Sequence, residues 1–97
     1  MRLITKRKFD EFSNDYPDSK GQLALIAKEI KKASFENLNQ VKDTFPYVSI
    51  LKDNRAVLNV CGNKYRLILK FNFNAQIAFV RYLSTHAEYD KIDANSI

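Results

Sequence analysis

The apolar residues of this 97-residue chain change their spacing once, at Pro46. Up to that point they recur every three to four residues, the repeat of a helix with one buried side. Phe9, Phe12 and Tyr16 do so, then Leu23, Ile26, Ala27 and Ile30, then Leu38, Val41 and Phe45. Beyond Pro46 they alternate. In the stretch GNKYRLILKF, residues 62–71, Tyr65, Leu67, Leu69 and Phe71 occupy odd positions, and Lys64, Arg66 and Lys70 occupy even ones, with Ile68 between. Alternation of this kind sends the two sets to opposite faces of a strand. The predicted class is therefore α+β: N-terminal helices packed on one face of an antiparallel β-sheet, with a short C-terminal helix.

Boundary residues divide the chain further. MRLI is predicted to be a first strand, and Thr5 to cap the helix that Pro17 interrupts. Ser19 with Gln22, and Asn37 with Gln40, have the spacing of capping boxes for a second and a third helix. On the second of these helices Lys28, Lys31 and Lys32 point to solvent or a partner. YVSILK and RAVLNV flank Asp53-Asn54, two residues that tolerate positive φ in a tight hairpin. Turns at Cys61-Gly62-Asn63 and Asn72–Ala75 bracket the next strand. QIAFVRYLS is apolar on both parities, as in a central strand covered on both faces. Thr85 and Glu88 form a third capping box, opening the helix HAEYDKI, which is too short to persist undocked. The final DANSI is expected to fray.

The length suits a single domain spanning residues 1–97, and no repeat or linker divides it. No apolar run approaches the roughly 18 residues of a membrane span. The opening MRLITKRKF lacks the apolar stretch of a signal peptide, and Cys61 has no second cysteine to pair with, so a cytoplasmic location is expected. The net charge of +5 is unevenly placed. Between Lys52 and Arg81 six basic residues face Asp53 alone, and the rest of the chain balances to zero. Such a field draws polyanions, either nucleic acid or an acidic protein, unless it is only a solvated strand face.

NVCGNKYRLILK, followed about twenty residues later by RYLSTHAEYDKI, resembles the HigB-type toxins of bacterial toxin–antitoxin pairs, part of the wider RelE-like group of mRNA endonucleases. FPYVSILKDNRAVLNV and the leading helices stand in the same order as in that family. The chain departs from the family in having no tryptophan and in carrying Leu58 where an aromatic is common; both positions concern packing. The resemblance implies a RelE-like domain that cleaves mRNA on the translating ribosome. It also implies a cognate antitoxin of the HigA type with a helix-turn-helix fold.

Metal-free RNA cleavage needs a group to take a proton, a group to give one, and cations for the phosphorane. One His, one Cys, no paired histidines and no dense carboxylate cluster point to no metal and no cofactor. The expected catalytic set is His86, Arg66, Lys64 and Tyr89. His86 is the one side chain with an ordinary pKa near neutrality. Arg66 can grip phosphate through two N–H groups, and it occupies the YRL position that serves the scissile phosphate in RelE-like enzymes. Lys64, expected on the same face, adds a second phosphate contact, or a proton donor if desolvated. Tyr89, three residues after His86, either stacks on RNA or anchors its helix. Arg81, among apolar neighbours of the last strand, is either buried with a partner or emerges into the site to bind RNA, and the second is expected here; Lys70, further along, is expected to bind the RNA backbone. Arg55 and Lys52, flanking the hairpin turn, are expected to touch RNA or ribosome away from the cut, and Lys91 either does the same or interacts with the C-terminal end of its helix. Two other functions use the same face: a non-catalytic RNA- or ribosome-binding module, and a basic protein that receives an acidic partner.

Overall fold

A computed structural model describes residues 1–97. The elements run β1 (Arg2–Ile4), α1 (Arg7–Asp15), a 3-10 turn (Pro17–Ser19), α2 (Lys20–Lys32), α3 (Leu38–Thr44), β2 (Ser49–Ile50), β3 (Arg55–Val60), β4 (Tyr65–Asn72), β5 (Ile77–Thr85) and α4 (His86–Tyr89). The fold is α+β, with one five-stranded sheet in the order β1-β5-β4-β3-β2. Strands β2 to β5 form an antiparallel meander, as expected. The first strand departs from it: β1 runs parallel to β5, with Leu3 opposite Ala78. No helix is long and apolar enough to cross a membrane.

The core lies between the helices and one face of the sheet. The predicted stripe of α2 (Leu23, Ile26, Ala27 and Ile30) is buried throughout. It packs in one cluster with Phe9, Val41, Leu67, Leu69, Phe71 and Val80. The hairpin between β2 and β3 turns on Asp53 and Asn54, both at φ +58°. Cys61 and Gly62 take positive φ in the next turn. Strand β5 is central, between β1 and β4. Its register on β4 slips between Ile68 and Leu69, whose partners are Tyr82 and Val80. Arg81 is thus the extra residue of a β-bulge, and this explains why β5 lacks clean alternation.

Two of the expected caps do not form. The residue before α1 is Lys6, and Thr5, at φ +65°, instead donates its hydroxyl to the Val80 carbonyl (3.4 Å). Ser19 is itself helical, because the turn begun at Pro17 runs straight into α2. Its hydroxyl donates back to Tyr16 (2.7 Å), and Gln22 accepts from the Cys61 N–H (2.6 Å). The Asn37 cap is half of a box. Asn37 accepts from the Gln40 N–H, but Gln40 accepts from Glu36 and not from Asn37. Only Thr85 and Glu88 make the reciprocal pair.

The C-terminal residues do not fray. They lie across the second face of the sheet, where Ala94 is buried against Val57 and Ile68, with Leu51, Tyr82, Tyr89, Ile92 and Ile97 around them. Asn95 accepts from the Lys52 N–H (3.2 Å), and the Ile97 carbonyl accepts from Arg55 Nε (2.6 Å). Apolar Ile92, Ala94 and Ile97 find a waiting patch because Ile68 breaks the polar parity of β4.

Candidate active site

Register brings the proposed residues to one corner. Arg66 on β4 lies opposite Ser84 on β5, and Tyr65 lies opposite Thr85. The chain then enters α4 at once, and the His86 N–H donates to the Lys64 carbonyl (2.9 Å). His86, Arg66 and Tyr89 therefore share the end of the β4–β5 pair. The Arg66 guanidinium stands 5.9 Å from the centre of the Tyr89 ring. At this distance the ring face attracts the cation and aims it. Arg66 Nη1 donates to the carbonyls of Asn63 and Tyr65 (3.2 Å each), and no carboxylate neutralises it.

His86 Nδ1 lies 2.8 Å from Asp90 Oδ2, one helical turn on. This pairing fixes the ring orientation and makes Nδ1 the donor, so that Nε2 is left for proton exchange. Asp90 is not in the set expected from the sequence. The signal available was the four-residue spacing, which places both on one helix face. The Thr85–Glu88 box ties down the start of the same four-residue helix.

Lys64 does not share the face of Arg66. It lies in the turn before β4, so strand alternation does not govern it. Its ammonium bonds Asp18 Oδ2 on the helix side (2.9 Å). Tyr65, which faces the core, donates to the other oxygen of the same carboxylate (2.6 Å). The hydrogen bonds from Tyr65 and then Lys64 hold the Asp18 carboxyl below the ordinary carboxylate range. The hydrogen bond to Asp18 raises Lys64 above the ordinary lysine value, opposite in direction to the desolvated proton donor considered from sequence. Lys64 is therefore a fixed cation. Asp18 is likewise absent from the set expected from the sequence.

The remaining cations divide. Arg55 is buried at 8 % exposure, with its guanidinium held by the Ile97 carbonyl and by Asp53 Oδ2 (3.3 Å). It anchors the C-terminal segment and does not reach outward, contrary to the expected RNA contact. Lys52 is exposed beside that anchor, and Lys91 is exposed just past α4. Lys70, opposite Phe79 toward the other end of the β4–β5 pair, and Arg81, at the bulge midway along it, line one depression with Phe79, and neither makes an ion pair. No three side chains among His, Cys, Asp and Glu come together in a metal-binding group.

Comparison with known proteins identifies the family. Residues 19–92 match the family model of the HigB toxin, described as the RelE-like toxic component of a toxin–antitoxin system. The chain is 33 % identical over 94 residues to the mRNA interferase HigB of Escherichia coli O6:H1 strain CFT073, covering 95 % of this chain and 91 % of that protein. It is 33 % identical over 92 residues to the mRNA interferase toxin HigB of Escherichia coli K12, covering 93 % and 88 %. The mRNA interferase HigB of Shigella flexneri matches to the same extent.

Proposed function

The chain belongs to the HigB family of RelE-like toxins, and from that premise we propose that its 97 residues act as one domain that cuts mRNA on the translating ribosome at the His86–Arg66 corner. It is an endoribonuclease toxin, as its relatives named mRNA interferase are. A toxin of this family has a cognate antitoxin, here taken to be a HigA-type helix-turn-helix protein, and the cytoplasm, where ribosomes and message lie, is its place of action.

The single observation that carries this assignment is the convergence of an unneutralised guanidinium and a carboxylate-oriented imidazole at one strand end. The proposed chemistry is transfer to the neighbouring 2′-oxygen. The 2′-hydroxyl gives up its proton and attacks phosphorus, the P–O5′ bond breaks, and the departing 5′-oxygen takes a proton. His86 Nε2 exchanges one of these protons while Asp90 steadies the imidazolium. Arg66 meets the two non-bridging oxygens, where the phosphorane gathers charge. Tyr89 keeps the guanidinium in place and offers its rim to a base. Lys64 adds positive potential beside the site without moving a proton.

The decisive experiment supplies purified, antitoxin-free protein with ribosomes programmed with mRNA, in EDTA, and maps the new ends. The expected products carry 2′,3′-cyclic or 3′-phosphate ends opposite 5′-hydroxyls. Intact message bound to the protein would instead identify a binding module.

A further inference from the structure

A depression of about 660 Å³ lies at the end of the β4–β5 pair away from His86. Lys70 and Phe79 are direct partners across the two strands, on the face that also carries Arg66 and Ser84. Phe79 is half-buried and takes part in no aromatic pair, whereas Phe73 is already stacked on Phe71 at 5.5 Å. The β-bulge frees Arg81 from the ladder and leaves it exposed on the same rim. Asn72, the last residue of β4, and Asn74 in the following turn are exposed beside them, and Glu36 also lines the depression. A flat ring, two unpaired cations and amides with both donors and acceptors are the groups that hold single-stranded nucleic acid.

We propose that this depression is a second RNA subsite, which takes a nucleotide flanking the cut: its base stacks on Phe79, and Lys70 and Arg81 hold the adjoining phosphates. The C-terminal segment covers Val57 and Ile68 between the two sites, so the RNA strand runs along the β5 edge of that segment. Arg66 and Lys70 are four residues apart on β4, about 13 Å at strand rise. That spans at most about four nucleotides stacked at ~3.4 Å each. The subsite rests on the His86–Arg66 assignment for the position of the cut, and it predicts base preference at a fixed distance from that cut.

The test binds a 2′-O-methyl RNA hexamer, which cannot be cleaved, to isotope-labelled wild type, Phe79→Ala and Arg81→Gln, and maps cut sites for all three on programmed ribosomes. The hexamer is expected to shift amide signals at both ends of the β4–β5 pair, and a dinucleotide only those near His86. Phe79→Ala is expected to weaken hexamer binding about tenfold, the scale of one lost stack, and to flatten base preference within four nucleotides of the cut. Arg81→Gln, on an exposed position, checks the result without touching packing and is expected to reduce the salt dependence. Unchanged hexamer affinity and unchanged cut sites in both variants, with cleavage intact, would overturn the subsite alone. Absence of cleavage by wild type, with no shift near His86, would overturn the endonuclease assignment and the subsite with it.

Discussion

At the scale of single residues, two carboxylates fix the side chains around the proposed site. Asp90 orients His86, and Asp18 binds Lys64 and Tyr65 together. Removing the main charge stabiliser or the proton carrier, by Arg66→Ala or His86→Ala, is expected to slow ribosome-dependent cleavage by about 10²-fold or more, measured by rates of end formation. Cleavage near the wild-type rate would remove that residue from the mechanism. Asp18 gives a pH signature with a definite sign. Its lowered carboxyl stabilises the fold fully above the ordinary value of 3.8 and loses that contribution as pH falls through the folded value. Tyr65, pushed up to about 12 by the hydrogen bond it donates to Asp18, stabilises fully below its ordinary 10 and loses this as pH rises through 12. Asp18→Asn is therefore expected to be less stable than wild type at neutral pH, in urea unfolding, with the gap closing in acid and again between pH 10 and 12. Absorbance titration should also show one phenol moving from about 12 back toward 10. The shared position of Arg66, His86 and Tyr89 was legible in the sequence because strand parity and helix spacing govern them. Lys64 was misplaced because it belongs to a turn, where neither period holds.

At the scale of elements, a four-residue helix carries half the proposed site and has no stability of its own. It is held from both sides. The Thr85–Glu88 box closes its start, and the segment from Ile92 to Ile97 runs over the sheet beyond it, anchored at Arg55 and Lys52. Thr85→Ala is expected to cost about 1 kcal/mol of stability, as cap removals do. Arg55→Ala removes the anchor 42 residues away in sequence, yet it is expected to loosen α4 through the segment. The resonances of His86, the one histidine, should then move toward those of an Asp90→Ala variant, and cleavage should fall while melting remains cooperative. Imidazole signals left where wild type has them would mean that the segment and α4 are uncoupled. This docking was hidden because Ile92, Ala94 and Ile97 are too few and too irregular to show a period. The cap errors have a related cause. A cap needs an extended residue, which Thr85 is at ψ 160°, and Ser19 is not, at ψ −18°. Side-chain identity does not reveal the backbone state of its neighbours.

At the scale of the whole molecule, the positive excess between Lys52 and Arg81 is smaller on the open face than the sequence count suggests. Arg55 is spent on the C-terminal segment and Asp53, and Lys64 on Asp18. Of the other four, Arg66, Lys70 and Arg81 remain unpaired along β4 and β5, and Lys52 is exposed at the hairpin turn. A second group of lysines, Lys6, Lys28, Lys31 and Lys32, lines a groove on α2. That helix packs on the opposite face of the sheet, so net charge alone does not say which surface meets RNA. Salt dependence does. Each phosphate contact on a single strand contributes about −0.7 to the slope of log affinity against log salt. Three open-face cations predict a slope of about −2 for a short, non-cleavable single strand. Arg66→Gln should bring it to about −1.4, and a double Lys28→Gln, Lys31→Gln variant should leave it at about −2. A slope unmoved by Arg66→Gln but halved by the lysine pair would transfer RNA binding to the helical side. The sheet face would then be left without the substrate that its imidazole and guanidinium require.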